Sequence, residues 1–122
     1  ADAGDGPGAI DSSMALGGLM FGQIMGQTPP IDAIFFCNDD LAQGALLAAN
    51  RIKVAVPERV AIVGFNDLTG SDLMLPPLTT VQTPLARIGE EAAAMLLRLM
   101  RHEPVPERCV DVGYRVMVRQ ST

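Results

Sequence analysis

Apolar residues recur at helical spacing between Ser12 and Gly26, where Met14, Leu16, Leu19, Met20, Ile24 and Met25 share one stripe. Ser12 or Ser13 stands where a helix cap belongs. Gly17, Gly18 and Gly22 lower helix propensity there, so the pattern predicts a helix against which another backbone packs closely. Thr28-Pro29-Pro30 ends it, and a β-rich run from Ile31 to Cys37 follows, closed by Asn38-Asp39-Asp40. Asp39 is expected to cap a second helix, from Leu41 to about Ile52. Pro57 and Glu58 mark a turn, after which Val60 to Phe65 is a continuous apolar run of the kind buried in parallel sheets. Strand, crossover helix and strand in this order form a βαβ unit, because parallel neighbours need a long connection. A loop over 66–77 leads to a short run, Leu78 to Gln82, then to a helix from about Leu85 to His102. That helix gathers Leu85, Ile88, Ala92, Met95, Leu96, Leu99 and Met100 on one face. Pro104-Val105-Pro106 breaks the chain before a last strand, Val110 to Val118, and the predicted class is α/β around a parallel sheet.

Composition narrows the possibilities. The 122 residues are 48% hydrophobic but only 4% aromatic with no Trp, so one aliphatic core is expected and stacking platforms for bases or sugar rings are scarce. A formal charge of -5 with scattered basic residues argues against a phosphate-binding face. Cys37 and Cys109 lack CxxC spacing and a partnered His, and no secretory signal opens the chain. A reducing, cytoplasmic setting is expected, with Cys37 buried as a small hydrophobe. No apolar run approaches the roughly 20 residues that span a bilayer, so no membrane partner is expected. His102 falls at a helix end, where a cation meets the helix dipole favourably. Gly-x-Ser-x-Gly, P-loop, GxGxxG and His-plus-Cys metal spacings are absent, so neither catalysis nor a cofactor nor a metal is expected.

Ligands of open α/β sheets sit at the carboxyl ends of parallel strands, where loops converge. Two of those ends are polar: Cys37-Asn38-Asp39-Asp40 and Gly64-Phe65-Asn66-Asp67. Asn38 and Asn66 should therefore share one rim. Asn both donates and accepts, which suits hydroxyl groups that do the same. The spacing alone leaves a second reading open, in which Asn38 and Asp39 only cap a helix and Asn66 and Asp67 only make a turn.

The run IDAIFFCNDDLAQGALLAANRIKVAVPERVAIVGFNDL, then PPLTTVQTPLARIGEEAAAMLL and the final VRQST, resembles the C-terminal stretch of LacI/GalR-type transcriptional repressors. The likeness covers the chain from about Ser12 onward, and the combination FFxNDDLAxGAL with AIVGFNDL is most similar to the gluconate-operon repressor subgroup. It implies a truncated periplasmic-binding-protein-like (type I) sensor fold. In this reading 1–11 is a ragged end or loop, 12–84 belongs to the C-terminal effector-binding subdomain, and 85–122 supplies the crossover helix and terminal strand. The resemblance implies effector contacts at Ser12, Asn38, Asn66 and Thr83, and a homodimer contact at Gln43, Leu47, Leu73, Met74 and Leu75. The implied effector is a sugar or a sugar acid such as gluconate, and operator DNA would be met only through an N-terminal headpiece absent from this chain. A carboxylate effector also needs a cation, and no Arg or Lys is evident at the rim, so either that cation is expected outside this stretch or the gluconate subgroup is not the right one. The crossover helix would pack on a subdomain that is also absent, leaving its apolar face to draw isolated chains together. The rival reading is a solute-binding protein of a sugar transport system, which shares the fold.

Overall fold

The computed structural model describes residues 12–122, so the expected ragged end at 1–11 lies outside the described residues. Helix α1, Met14–Met25, is capped by Ser13, whose hydroxyl accepts from the Leu16 N–H at 3.2 Å. Its buried side is not the stripe expected from the sequence. Phe21 and Gly17 are buried, Leu16, Met20, Ile24 and Met25 are partly covered, and Met14 and Leu19 lie exposed.

Strand β1, Ala33–Phe35, runs into helix α2, Asp39–Arg51, and β2, Ala61–Phe65, follows in parallel with Ala33 opposite Ala61 and Phe35 opposite Val63. The contact of α1 with α2 sets the face that α1 buries. A Cβ at Gly17 would stand 2.1 Å from the Leu41 carbonyl oxygen, and one at Gly44 would stand 1.9 Å from that of Met14. The two helix backbones therefore touch, as the glycines of α1 foretold, although Gly22 meets nothing within 4 Å.

Strand β3, Thr79–Gln82, lies parallel to β2, and β4, Arg115–Met117, closes the sheet antiparallel in the order β1-β2-β3-β4. The βαβ unit is thus as expected, while the last strand runs opposite and is shorter than Val110 to Val118. Gly113 turns at φ 75° with its N–H held by the Asp111 carboxylate at 2.8 Å, so the chain turns there before it can pair. Between β3 and β4, helix α3 spans Leu85–Met100.

One face of the sheet is covered by α1 and α2. Ile34 and Ile62 point from the strands into a core with Phe21, Leu46 and Leu78. The neighbouring strand positions alternate to the other face, where Phe35 is 63% and Val116 55% exposed. Helix α3 buries no residue at all, and Leu85, Ile88, Leu96 and Leu99 of its apolar face are exposed. Both cysteines are free and exposed, which corrects the expectation of a buried Cys37: burial alternates along the run, Ile34 and Phe36 inward and Phe35 and Cys37 outward.

Candidate functional site

Asn38 and Asn66 follow adjacent parallel strands whose register pairs Phe35 with Val63, so they stand at the same sheet edge. Asn38, not Asp39, is the cap of α2: its Oδ1 accepts from the Leu41 N–H at 3.0 Å. The side-chain NH₂ remains for other partners, and it donates to the Ser12 hydroxyl. Asn38 and Ser12 thereby form one polar pair at the mouth of β1.

Asp39 turns inward instead. It is fully buried, with Oδ2 accepting from the Leu68 N–H at 2.8 Å and the Ser71 hydroxyl at 2.5 Å, and Oδ1 from the Thr80 hydroxyl at 2.6 Å. The first turn of α2 is thus tied to the loop after β2 and to β3.

Asn66 and Asp67 both have left-handed backbone, at φ 100° and 52°. Non-glycine residues seldom adopt it, Asn and Asp excepted, and it concentrates at functional sites. Hydrogen bonds hold the turn. The Asn66 N–H donates to the Val81 carbonyl at 2.8 Å, and its Oδ1 accepts from the Thr83 hydroxyl at 3.3 Å. Asn66 and Thr83 are the second polar pair. Gln82 donates to Asp67 Oδ2 at 2.9 Å, and the Arg119 guanidinium meets Oδ1 at 2.9 Å.

A cleft of about 480 Å³ opens over this second pair, lined by Asn66, Asp67, Gln82, Thr83 and the first turns of α3, including Arg87 and Glu90. Ser12 and Asn38 do not line it, so the structure assembles the four expected residues as two pairs on one rim. Arg87 corrects the expectation that no cation stands there. It lies four residues beyond Thr83 in the first turn of α3, and the expected helix start at Leu85 did not by itself show that this turn faces the cleft. Arg119 was visible only as part of the terminal VRQST, because its partner is supplied by a distant loop.

The five residues expected at a subunit contact fall into two sets. Leu47, Leu73 and Leu75 are exposed, whereas Met74 packs partly on the core. Gln43 is a correction. Only 2% exposed, it donates to the Ser71 hydroxyl at 3.0 Å and the Thr69 carbonyl at 3.4 Å, so its amide serves the loop within this chain and offers little to a partner.

Residues 5–122 match the family model described as a periplasmic binding protein-like domain. The chain belongs to that family. Within this family its relatives are the LacI/GalR-type regulators that the sequence resembles. It is 50% identical over 111 residues to the HTH-type transcriptional regulator GntR of Pseudomonas aeruginosa, a match covering 91% of this chain and 32% of the relative. The HTH-type transcriptional regulator IdnR of Escherichia coli is 39% identical over 110 residues, covering 90% of this chain and 33% of the relative. The chain therefore spans about a third of the length of these curated relatives. Among solved structures, the transcription regulator GntR from Chromobacterium violaceum superposes with a TM-score of 0.82 at 48% identity, covering 91% of this chain and 41% of that one. A transcriptional regulator CelR–cellobiose complex superposes at 0.81 with 31% identity, covering 92% of this chain and 34% of that one. The mostly parallel, open four-stranded sheet accords with that family. Among the described residues no helix is long and apolar enough to cross a membrane.

Proposed function

We propose that this chain is one wall of the effector-binding cleft of a non-enzymatic, cytoplasmic transcriptional repressor, and that the effector is a sugar or sugar acid such as gluconate. The observation that carries this reading is the pair of donor-and-acceptor asparagines, Asn38 and Asn66, at one end of adjacent parallel strands, each with a hydroxyl partner. Closure of the cleft on the effector would change how strongly the whole protein holds its operator through a DNA-binding headpiece elsewhere in that protein. The regulators among its relatives favour this over a transport binding protein. Arg87 supplies a cation within the cleft for a carboxylate, with Glu90 beside it to accept from hydroxyls.

Asn38→Asp tests the site without dismantling the helix, because aspartate keeps the capping oxygen while replacing the NH₂ donor with a negatively charged acceptor. In the full-length protein this change is expected to weaken D-gluconate binding by about 10-fold or more, the worth of one buried hydrogen bond and the acceptor left bare. Titration calorimetry showing unaltered affinity would remove Asn38 from the site.

The same reading makes the protein a homodimer through the exposed leucines of the loop after β2. Leu73 is 79% and Leu75 74% exposed, Leu47 on α2 is also exposed, and apolar side chains so open are what a subunit contact covers. Leu73→Asp with Leu75→Asp is expected to yield monomers in sedimentation at micromolar concentration, with little effect on folding. A dimer that survives both charges would place the contact elsewhere.

A further inference from the structure

We infer that Arg119 is a positioning residue for the effector, acting through Asp67 on Asn66. The inference rests on the reading of Asn66 as an effector contact. Three observations carry it.

Asn66 and Asp67 adopt left-handed backbone in succession, whereas even Asn and Asp usually visit it as single residues, so the turn gains from restraint outside itself. The restraint converges on Asp67. Both oxygens of its carboxylate are engaged, one by Gln82 at 2.9 Å and the other by Arg119 at 2.9 Å, while its N–H meets the Thr80 hydroxyl at 3.3 Å.

Arg119 is itself anchored at the start of β3. Its Nη1 donates to the Leu78 carbonyl at 2.8 Å, and its backbone N–H donates to the Thr79 hydroxyl at 2.8 Å. With one guanidinium Arg119 therefore clamps the carbonyl at the start of β3 by Nη1 and the carboxylate of the loop after β2 by Nη2. Its side chain is 17% exposed and that of Asp67 is 13%, so the ion pair is shielded from most of the solvent that weakens surface pairs.

Arg119 is also poorly suited to touching the effector directly, since it does not line the cleft while Asn66 and Asp67 do. Its contribution is orientation. With Asp67 fixed, the Asn66 carboxamide keeps its oxygen on Thr83 and leaves its NH₂ for the ligand. Without Arg119, Asp67 would carry an unpaired, largely covered charge and the turn would relax toward ordinary backbone.

The test uses the full-length protein with D-gluconate as the probe and hydrogen exchange as a second readout that needs no ligand. Arg119→Gln is expected to weaken gluconate binding about tenfold, the loss typical of one charge-assisted hydrogen bond. Arg119→Lys should recover part of that loss, because it restores the charge but not the forked geometry. Asp67→Asn should lose a similar amount, and the double variant scarcely more than either single one, as for two members of one unit. The amides of Asn66, Asp67 and Leu68 should exchange faster in Arg119→Gln while those of α1 and α2 do not change. A merely structural role would lower the melting temperature and leave both affinity and local exchange unmoved, which overturns the inference. So would strictly multiplicative losses in the double variant. Asn66→Gly, which tolerates the same backbone, separates the two levels of the argument. If it binds gluconate normally, the effector reading of Asn66 fails. If it loses binding while Arg119→Gln does not, the positioning inference alone fails. Should the unaltered protein not bind gluconate, that effector is wrong, and exchange at 66–68 still decides whether Arg119 holds the turn.

Discussion

Gly44→Ala is expected to destabilise the full-length protein by about 3 kcal/mol or more, at the upper end of what overpacking a core costs. Alanine normally favours a helix over glycine by about 1 kcal/mol, so intrinsic propensity pulls the other way. Contact decides the sign. The new methyl would lie 1.9 Å from the carbonyl oxygen of Met14 and 2.6 Å from its carbon, and both are backbone atoms that no rotamer change can move aside. The helices would have to separate, uncovering Phe21, which is buried between α1 and the rest of the core. Gly22→Ala is the matched control: it also lies in a helix, meets nothing within 4 Å, and should stabilise by about 0.5–1 kcal/mol. Urea unfolding of the two variants compares them directly, and a Gly44→Ala protein as stable as its parent would show that the helices are not in backbone contact.

Asp39→Ala should be similarly damaging, at about 4 kcal/mol, since two buried hydroxyls and one partly buried N–H lose a shared acceptor and each unsatisfied group costs about 1–3 kcal/mol. The donors are not equivalent. The Ser71 and Thr80 hydroxyls can rotate, but the Leu68 N–H cannot turn into an acceptor. Asp39→Asn should therefore settle with its oxygen toward Leu68 and its NH₂ toward Thr80, and lose less than half as much. Denaturant midpoints that rank asparagine below alanine, or place both beside the parent, would show that this network does not hold the loop.

Periodicity carried most of the fold. Alternating apolar runs and polar breaks located β1, α2 and β2, because a buried parallel strand leaves no solvent face to interrupt its hydrophobicity. The glycines of α1 signalled close approach without saying which side would close. Phe21 lies four residues from Gly17 and so shares its face, yet it stood outside the stripe drawn through Met14 and Leu19, which the structure leaves in solvent. The strand before residue 118 was overextended because apolar and polar residues alternate there whether or not a partner strand is within reach. At the candidate site, the strand ends alone placed Asn38 and Asn66 on one rim, as the register shows, whereas Ser12 and Thr83 came from family likeness. Asp39 was misassigned as the cap because capping residues and inward-facing acids look alike in sequence. Arg87 and Arg119 were missed for a different reason. Long side chains act at a distance from their own backbone, so where the guanidinium ends up depends on the tertiary arrangement.

The hydrogen bonds of Ser121 bear on the order in which this molecule can be built during synthesis. Its hydroxyl accepts from the Thr79 N–H and donates to the Ile62 carbonyl, and its own carbonyl accepts from the Ile62 N–H. Ile62 thus reaches a partner 59 residues later in the chain. At translation rates of about 5–20 residues per second, the start of β2 waits roughly 3–12 s for that partner to be made. Through that interval β2 and β3 have emerged with their lower seam open, and β4 has yet to cover the outer edge of β3. A nascent chain in this state exposes strand edges, the feature that draws chaperones and favours aggregation. Slow codons placed between β3 and β4 would lengthen the exposure, so the yield of soluble protein should fall with the delay they introduce there and change less with the same delay placed before β1.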